Sequence, residues 1–232
     1  MFGETGFHQM PLTNQSSARL QMLAISMTCL MAMMLLSACS TNQLHTTTEA
    51  LAINLDSHAL KASGLAFITP TSITGEEEDK QSLALAFTEA LKLSRPDLHI
   101  VSLPETLGAA NRAGLAGEYR QMFRDYSLSG IFNRETLQKI SHVTGVRYIA
   151  HLKLGGFRQE SKSRLSLLGL RIVETMSASL RLYLQIWDGE TGSVVWEGTQ
   201  ELTSAHESLL EDPISFRNAV EQSAHEIIAR LP

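Results

Sequence analysis

A long apolar run near the N-terminus ends in a cysteine, and this feature most limits how the chain can fold. The run extends from Leu20 to Leu36, with Arg19 just before it and Cys39 just after. A basic flank, an apolar centre and small residues at the end are typical of a cleaved secretory signal. A plain transmembrane anchor is the alternative, but such a helix needs roughly 20 apolar residues. We therefore predict that residues 1–38 are a signal peptide.

Four residues at the end of the run resemble the lipobox, the cleavage and acylation signal of bacterial lipoproteins. In Leu36-Ser37-Ala38-Cys39, two small residues separate a leucine from a cysteine. A peptidase needs small residues at its cut, and the thiol is the one group there that can form a thioether with diacylglycerol. The resemblance covers only the leader and implies that Cys39 carries acyl chains such as palmitate. Because each buried methylene contributes about 0.8 kcal/mol, several chains make the anchor effectively permanent.

The residue after this cysteine indicates which membrane holds the anchor. An aspartate there typically retains a lipoprotein at the inner membrane, whereas this chain has Ser40. The resemblance to that sorting rule implies the outer membrane, with the protein on its periplasmic face. The other cysteine, Cys29, lies inside the apolar run and would leave with it. Residues 40–232 therefore have no thiol for a disulfide, a thiolate metal site or catalysis.

Charge and motifs argue against several classes of function. The net charge is −5, and the leader holds one base and one acid, Arg19 and Glu4. A mildly acidic domain argues against a nucleic-acid partner and against attraction to anionic lipid head groups. The histidines beyond the leader form no metal-binding spacing; they are His45, His58, His99, His142, His151, His206 and His225. Nucleophile elbows, phosphate-binding loops and dinucleotide-binding motifs are also absent from the sequence. We expect no cofactor, no metal and no enzymatic activity.

The first part of the mature chain predicts a tether and then a β-α-β unit. Residues 39–62 start polar, and we interpret them as the lipidated N-terminus and a flexible tether; within them, Glu49–Leu60 is expected to be a short helix or an edge strand. A single domain is predicted over 63–232. The apolar run Gly64–Pro70 predicts a strand buried on both faces. An amphipathic helix and a second strand, Leu98–Ser102, follow, so the two strands are expected to be parallel.

Helix signals fill the middle and the end of the domain. Asn133 is a good N-cap and Gly145 a good C-terminal cap for the helix between them. An aromatic-rich helical stretch, Leu115–Tyr126, precedes it, and its rings are expected to lie in the core. Asp212 and Pro213 are expected to start the last helix.

Strand periodicity replaces helix periodicity after Arg147. Arg147–Phe157 alternates, and so does the stretch from Ser177, in which Leu180, Leu182, Leu184 and Ile186 share one face. Gly155-Gly156 is expected to form a bulge or a bend. Asp188–Gly192 predicts a turn, after which the chain is expected to pair Ile186 with Val194. The fold class that follows is α/β (α+β), a mixed sheet with a β-α-β start, a C-terminal antiparallel hairpin and helices mainly on one face.

The polar face of that hairpin is the candidate site. Its residues alternate with the buried leucines and are expected to face solvent as a group, beside a free sheet edge to which another strand can be added. The candidate partner-binding residues are Arg181, Tyr183, Gln185 and Glu197.

Residues 63–231 resemble a fold that several periplasmic lipoproteins share. The most telling pieces are Gly145–Tyr148 before a strand, and Asp188–Gly192 followed by Val194–Trp196. Proteins with this fold include the curli-secretion channel lipoprotein, the outer-membrane lipoprotein activator of a penicillin-binding protein, and the N-terminal domain of the Tol-system propeller protein. The resemblance implies a fold and an envelope setting rather than an activity.

Three hypotheses follow for function. The leading one is a periplasmic binding, scaffold or assembly module that associates with an envelope protein or with itself. The alternative is an oligomeric secretion-channel-like subunit that uses 158–179 as a membrane insert. A transmembrane strand needs about 9–11 alternating residues, and the arm Arg158–Arg164 is highly charged, while the early loop Thr71–Gly75 is too short for a second hairpin. The third is a cell-envelope enzyme with an unrecognised site.

Lipidation at Cys39 can be tested by acyl labelling. We expect radiolabelled palmitate to enter the wild-type protein and the Cys29→Ser variant, because Cys29 lies in the part that is removed. The Cys39→Ser variant should remain unlabelled and keep its signal peptide. Equal labelling of the Cys39→Ser variant would contradict the assignment.

Overall fold

The computed structural model describes residues 22, 25–28, 43–73, 75–167, 170–208 and 215–232. The predicted lipidation site, Cys39, and the predicted cleavage point lie outside these residues. Among the described residues, no helix is both long and apolar enough to cross a membrane. Asn42–Pro232 forms one compact unit built on a single sheet.

Within the described residues, seven strands form one mixed sheet. They are β1 (Gln43–Ala52), β2 (Leu65–Phe67), β3 (Thr71–Ser72), β4 (Ile100–Val101), β5 (Tyr148–Leu167), β6 (Leu170–Asp188) and β7 (Val194–Ser208). Their order is β1-β7-β6-β5-β2-β4, and β3 pairs with β5 farther along that strand. Every parallel pair involves β2 or β3, and the other pairs are antiparallel. The predicted α/β class, its β-α-β start and its C-terminal hairpin are confirmed.

Helices pack on both faces of the sheet, which corrects the expectation that they lie mainly on one. The helices of this unit are α1 (Ser57–Ser63), α2 (Glu77–Ser94), α3 (Leu103–Arg112), α4 (Ala116–Ser129), α5 (Arg134–Thr144) and α6 (Phe216–Ile228). Leu65 and Phe67 of β2 pack with α2 and α6, whereas Ala66 and Ile68 pack with α4 and α5. Because neighbouring side chains of a strand point to opposite faces, a strand that is apolar at every position needs cover on both sides.

Capping residues set the ends of the later helices. The side chain of Asn133 accepts a hydrogen bond from the amide of Thr136 at 3.0 Å, and Gly145 ends α5 in the left-handed conformation, as predicted. The last helix begins later than expected. Its N-cap is Ser215, whose hydroxyl accepts from the amide of Asn218 at 3.2 Å, and the predicted start at 212–213 lies outside the described residues.

The segment interpreted as the lipidated N-terminus and a flexible tether, 39–62, contains a strand from Gln43 and a helix from Ser57, and residues 39–42 lie outside the described part. β1 pairs with β7 along its whole length, from Gln43 opposite Ala205 to Ala52 opposite Trp196. Threonine-rich segments favour strands, and the hydroxyl of Thr48 also hydrogen-bonds the side chain of buried Gln200. The alternatives for Glu49–Leu60 are both partly present, since the strand continues to Ala52 and α1 follows.

The segment 158–179, the predicted insert, continues β5 and β6 as a long antiparallel hairpin. The backbones pair as far as Leu167 opposite Leu170. The predicted register between β6 and β7 is wrong, because Ile186 pairs with Trp196. A register shift follows, so that Trp187 pairs with Val194, and this bulge was not visible in the alternation of the sequence.

Candidate functional site: the open face of the sheet

Helices cover only part of the sheet face on which α4 and α5 pack. Beyond these helices, the same sheet face carries polar side chains, which point away from α2 and α6. We call this uncovered part the open face. Its members lie in two rows across β3, β5, β6, β7 and β1: Thr71, Lys153, Tyr183, Thr199 and Glu49, and then Arg181, Glu201 and Thr47. On the reverse side of the same strands, Leu182, Leu184 and Leu202 are buried. The alternation along β6 therefore produces one closed face and one open face, as predicted.

A glycine bulge in β5 shapes the middle of the open face. The register with β6 shifts between Leu154 and Gly156, as the glycine pair predicts. A Cβ atom at Gly155 would lie 3.1 Å from a ring carbon of Tyr183 and 3.5 Å from the side chain of Arg181. The missing side chain thus lets both residues of β6 lie across β5. A Cβ atom at this position would require the Tyr183 ring to shift by a few tenths of an ångström and would be in ordinary contact with Arg181.

The charges of the open face are arranged in pairs and contacts. Arg181 and Glu201 form an ion pair at 2.5 Å, with side chains 53% and 51% exposed. Lys153 is exposed, and its ammonium lies 5.7 Å from the ring centre of Tyr183, a cation–π contact. Exposed pairs of this kind contribute little to stability, about 0–1 kcal/mol. They remain available to a ligand or partner, because breaking them costs the fold little.

Two adjoining hollows lie on this face. One has a volume of about 380 Å³ and is lined by Thr71, Lys153 and Tyr183 among others. The second has a volume of about 540 Å³ and reaches the half of the face that carries Glu201. Arg181 lines both, and so does Ile73, a large apolar side chain that is 75% exposed. Together they form a shallow groove whose lining combines cations, hydroxyls, the aromatic residues Tyr183 and Phe157, and apolar residues that include the exposed Ile73.

The structure divides the four predicted partner-binding residues into two groups. Arg181 and Tyr183 lie on the open face. Gln185 and Glu197 lie in the next row toward α4 and α5. The side-chain amide of Gln185 donates a hydrogen bond to Glu197 at 2.5 Å. The hydroxyl of Tyr126, on α4, donates to the Gln185 side chain at 3.3 Å. Burial, aided by the negative charge of Glu197, raises the pKa of Tyr126. Gln185 and Glu197 are therefore partly covered by α4 and form the border of the open face.

His151 lies fully buried behind this border. Its Nε2 is 3.3 Å from the hydroxyl of Thr71, and its ring contacts Tyr126 and Phe132 at centre distances of 4.8 and 4.9 Å. Nδ1 has no hydrogen-bond partner among the described residues. Burial lowers the pKa of His151 to about 3. The sequence favours a structural role for this histidine over a metal ligand, and the described residues contain no cluster of three potential metal-ligating side chains.

The two motifs that carry the fold resemblance meet at one ion pair. Arg147, before β5, donates two hydrogen bonds to Asp188 at 3.1 and 2.7 Å. Burial alone would raise the pKa of Asp188, but the bonds from Arg147 and from the turn amides hold it below its usual value. A Cβ atom at Gly189 would lie 2.6 Å from the side chain of Ser141, on α5. These motifs therefore fix a turn against a helix and do not contribute to the open face.

Comparison with known proteins gives likenesses of fold only. No family model and no curated protein matches the chain. Among solved structures, the PelC dodecamer from Paraburkholderia phytofirmans is similar at 11% identity and a TM-score of 0.39, covering 82% of this chain and all of that chain. Lipoprotein GNA1162 from Neisseria meningitidis is similar at 10% identity and a TM-score of 0.35, covering 65% of this chain and 87% of that one.

A third likeness extends to a longer protein. A PDZ domain protein from Parabacteroides distasonis ATCC 8503 is similar at 10% identity and a TM-score of 0.34, and the match covers 83% of this chain but 37% of that one. At these identities and scores, the likenesses assign neither a family nor an activity to this chain.

The buried imidazole of His151 predicts how stability depends on pH. The unfolded chain binds a proton near the ordinary histidine pKa of about 6.5, whereas the folded chain resists protonation until about pH 3. As the pH falls from about 6.5 to about 3, this group alone should therefore lower the free energy of unfolding by up to about 1.4 kcal/mol per pH unit. Urea unfolding of a His151→Gln variant should show a shallower decline. A matched change at exposed His142 should leave the wild-type slope, and equal slopes in all three proteins would contradict the assignment.

Proposed function

We propose that the chain is a lipid-anchored protein of the cell envelope whose periplasmic domain binds a partner through the open face. Cys39 is the proposed lipid attachment point, and Ser40 favours the outer membrane over the inner one. The binding role rests on one observation above all. In the part of the chain that the structure describes, helices cover one face of β6 and β7, while the other face is covered only where α4 and α5 pack and is otherwise open and charged. A groove shaped by Gly155 crosses that face.

The chemistry of the open face favours binding over catalysis. Its charged groups contact each other or an aromatic ring, as Arg181 does with Glu201 and Lys153 with Tyr183. Such groups can exchange an internal partner for one on a bound protein at little cost to the fold. Complementary charges at an interface also steer association and set specificity. A folded envelope protein with acidic and basic groups in alternation is the partner that this pattern fits.

A charge reversal on the open face tests this proposal. We expect Arg181→Glu to lower recovery of the partner from detergent-solubilised envelopes by about tenfold or more, because it sets a like charge beside Glu201 and against the partner. Arg217→Glu is the matched control, since Arg217 is also exposed and paired with glutamates but lies on α6. Quantitative mass spectrometry of the co-purified proteins measures both. A protein profile that neither variant changes would contradict a role for this face.

A ring or pore that uses the hairpin 158–179 is the second candidate, and strand register favours it. Gln43 lies opposite Ala205, which lies opposite Ser177 of the hairpin. Cys39 precedes Gln43 by four residues, which span at most about 14 Å. A lipid on Cys39 would thus hold the membrane near the end of the sheet from which the hairpin extends. This candidate predicts a detergent-extracted species of many copies in analytical ultracentrifugation, and a species of one or two copies would contradict it.

A further inference from the structure

The outer edge of β1 is a long edge of the sheet that pairs with no other described strand. β1 stands at one end of the strand order, so its outer edge has no neighbour among the described strands. Its pairing with β7 runs from Gln43 to Ala52 without a register shift, which leaves the edge regular over its full length. The opposite end of the sheet is β4, which is only two residues long. Among the described strands, unpaired amide and carbonyl groups therefore line β1 and also the arm of β5 beyond Leu154, where β2 and β3 no longer pair with it. That arm carries Arg158, Glu160 and Lys162, and charged side chains discourage edge pairing.

Natural sheets usually protect such an edge, and β1 has little of the usual protection. Charged side chains (lysine above all), proline, a bulge or a covering segment normally prevent edge-to-edge pairing, and the one charged residue of β1 at neutral pH is Glu49. The sequence of β1, QLHTTTEALA, contains neither lysine nor proline and has no bulge. Its charged or titratable side chains are His45 and Glu49, both exposed and without a hydrogen-bond or ion-pair partner among the described residues. An unprotected regular edge is a template for another strand.

We infer that β1 pairs antiparallel with β1 of a second copy of this chain, around a twofold axis at Thr47. The axis stands perpendicular to the sheet, so paired residues must lie on the same face and differ by an even number of positions. In this register, Thr47 lies opposite Thr47 of the second copy, and Thr46 lies opposite Thr48. His45 of each copy lies opposite Glu49 of the other, so this pair occurs twice. Neighbouring registers lose the His45–Glu49 pairs, since an axis at Thr48, for example, places His45 opposite Leu51.

Self-complementarity makes a second copy the occupant of this edge. Hydroxyl pairs and an imidazole opposite a carboxylate stabilise two antiparallel strands when they lie directly across from each other. The twofold axis repeats the Thr46–Thr48 and His45–Glu49 pairs. The shared backbone hydrogen bonds join the two sheets into one. Because a perpendicular axis keeps each face on its own side, the open faces of both copies lie side by side. The dimer would thus present the proposed binding surface twice. The pairing itself requires neither the lipid nor a partner on the open face.

Disulfide trapping tests the register in the full-length protein purified in detergent. The parent carries Cys29→Ala. Two Thr47 Cα atoms that face each other across antiparallel strands lie about 4.5–5.5 Å apart, within the range of a disulfide. Thr46→Cys is the matched control, because its copy lies two positions along the strand, at about 8 Å, beyond that range. We expect mild oxidation to cross-link most of the Thr47→Cys protein and less than a tenth of the Thr46→Cys protein and of the parent.

An exchange of charges between positions 45 and 49 distinguishes this specific pairing from nonspecific association. Glu49→Lys should raise the dimer dissociation constant measured by analytical ultracentrifugation by about fivefold or more, and adding His45→Glu should restore it by reversing both pairs. A wild-type protein that stays monomeric up to 0.1 mM, or equal cross-linking at positions 46 and 47, would overturn the proposal. So would a cross-link from Thr47→Cys to a different envelope protein in place of the dimer. A wild-type protein that dimerises but recovers no envelope partner would instead count against the open face alone.

Discussion

The alternation of apolar and polar side chains along β5 and β6 is the constraint on which the rest of the structure depends. The leucines at 180, 182 and 184 must be removed from water, and α2 and α6 supply the cover on their face. At roughly 25 cal/mol per Å² of buried apolar surface, this burial outweighs any surface ion pair of the domain. The residues between the leucines then necessarily point the other way, where α4 and α5 cover only the rows of Trp187 and His151. The open face is the part of this polar side that the helices do not cover.

The sequence predicts the features that depend on local chemistry. The capped ends at Asn133 and Gly145, the alternation in β6 and the bulge at Gly155 follow from residue type and spacing, and the structure contains each of them. It also predicts which side of the hairpin is polar. It does not separate Arg181 and Tyr183 from Gln185 and Glu197, because that division is made by Tyr126 of α4, distant in sequence.

The errors of the sequence-based prediction have a common physical origin. Residues 43–52 are polar and short of apolar periodicity, so they look like a tether, yet they form β1 because the outer edge of β7 offers backbone hydrogen bonds. Ile186 pairs with Trp196 because of a bulge in β7, and the alternation of side chains in the sequence does not predict that bulge. The sequence predicts that the strand within Gly64–Pro70 is buried on both faces, but it does not show which helices cover each face, because that is decided by packing between distant segments. Each missed feature is set by pairing or packing between distant segments.

Site-specific photocross-linking in intact cells tests most directly whether the open face binds a partner. Benzoylphenylalanine would replace Tyr183, and in a matched strain it would replace Leu93, an exposed residue of α2 on the other side of the sheet. The account predicts a discrete adduct with an envelope protein or with a second copy at position 183 and none at position 93. The absence of any adduct at position 183, or the same adducts at both positions, would contradict it.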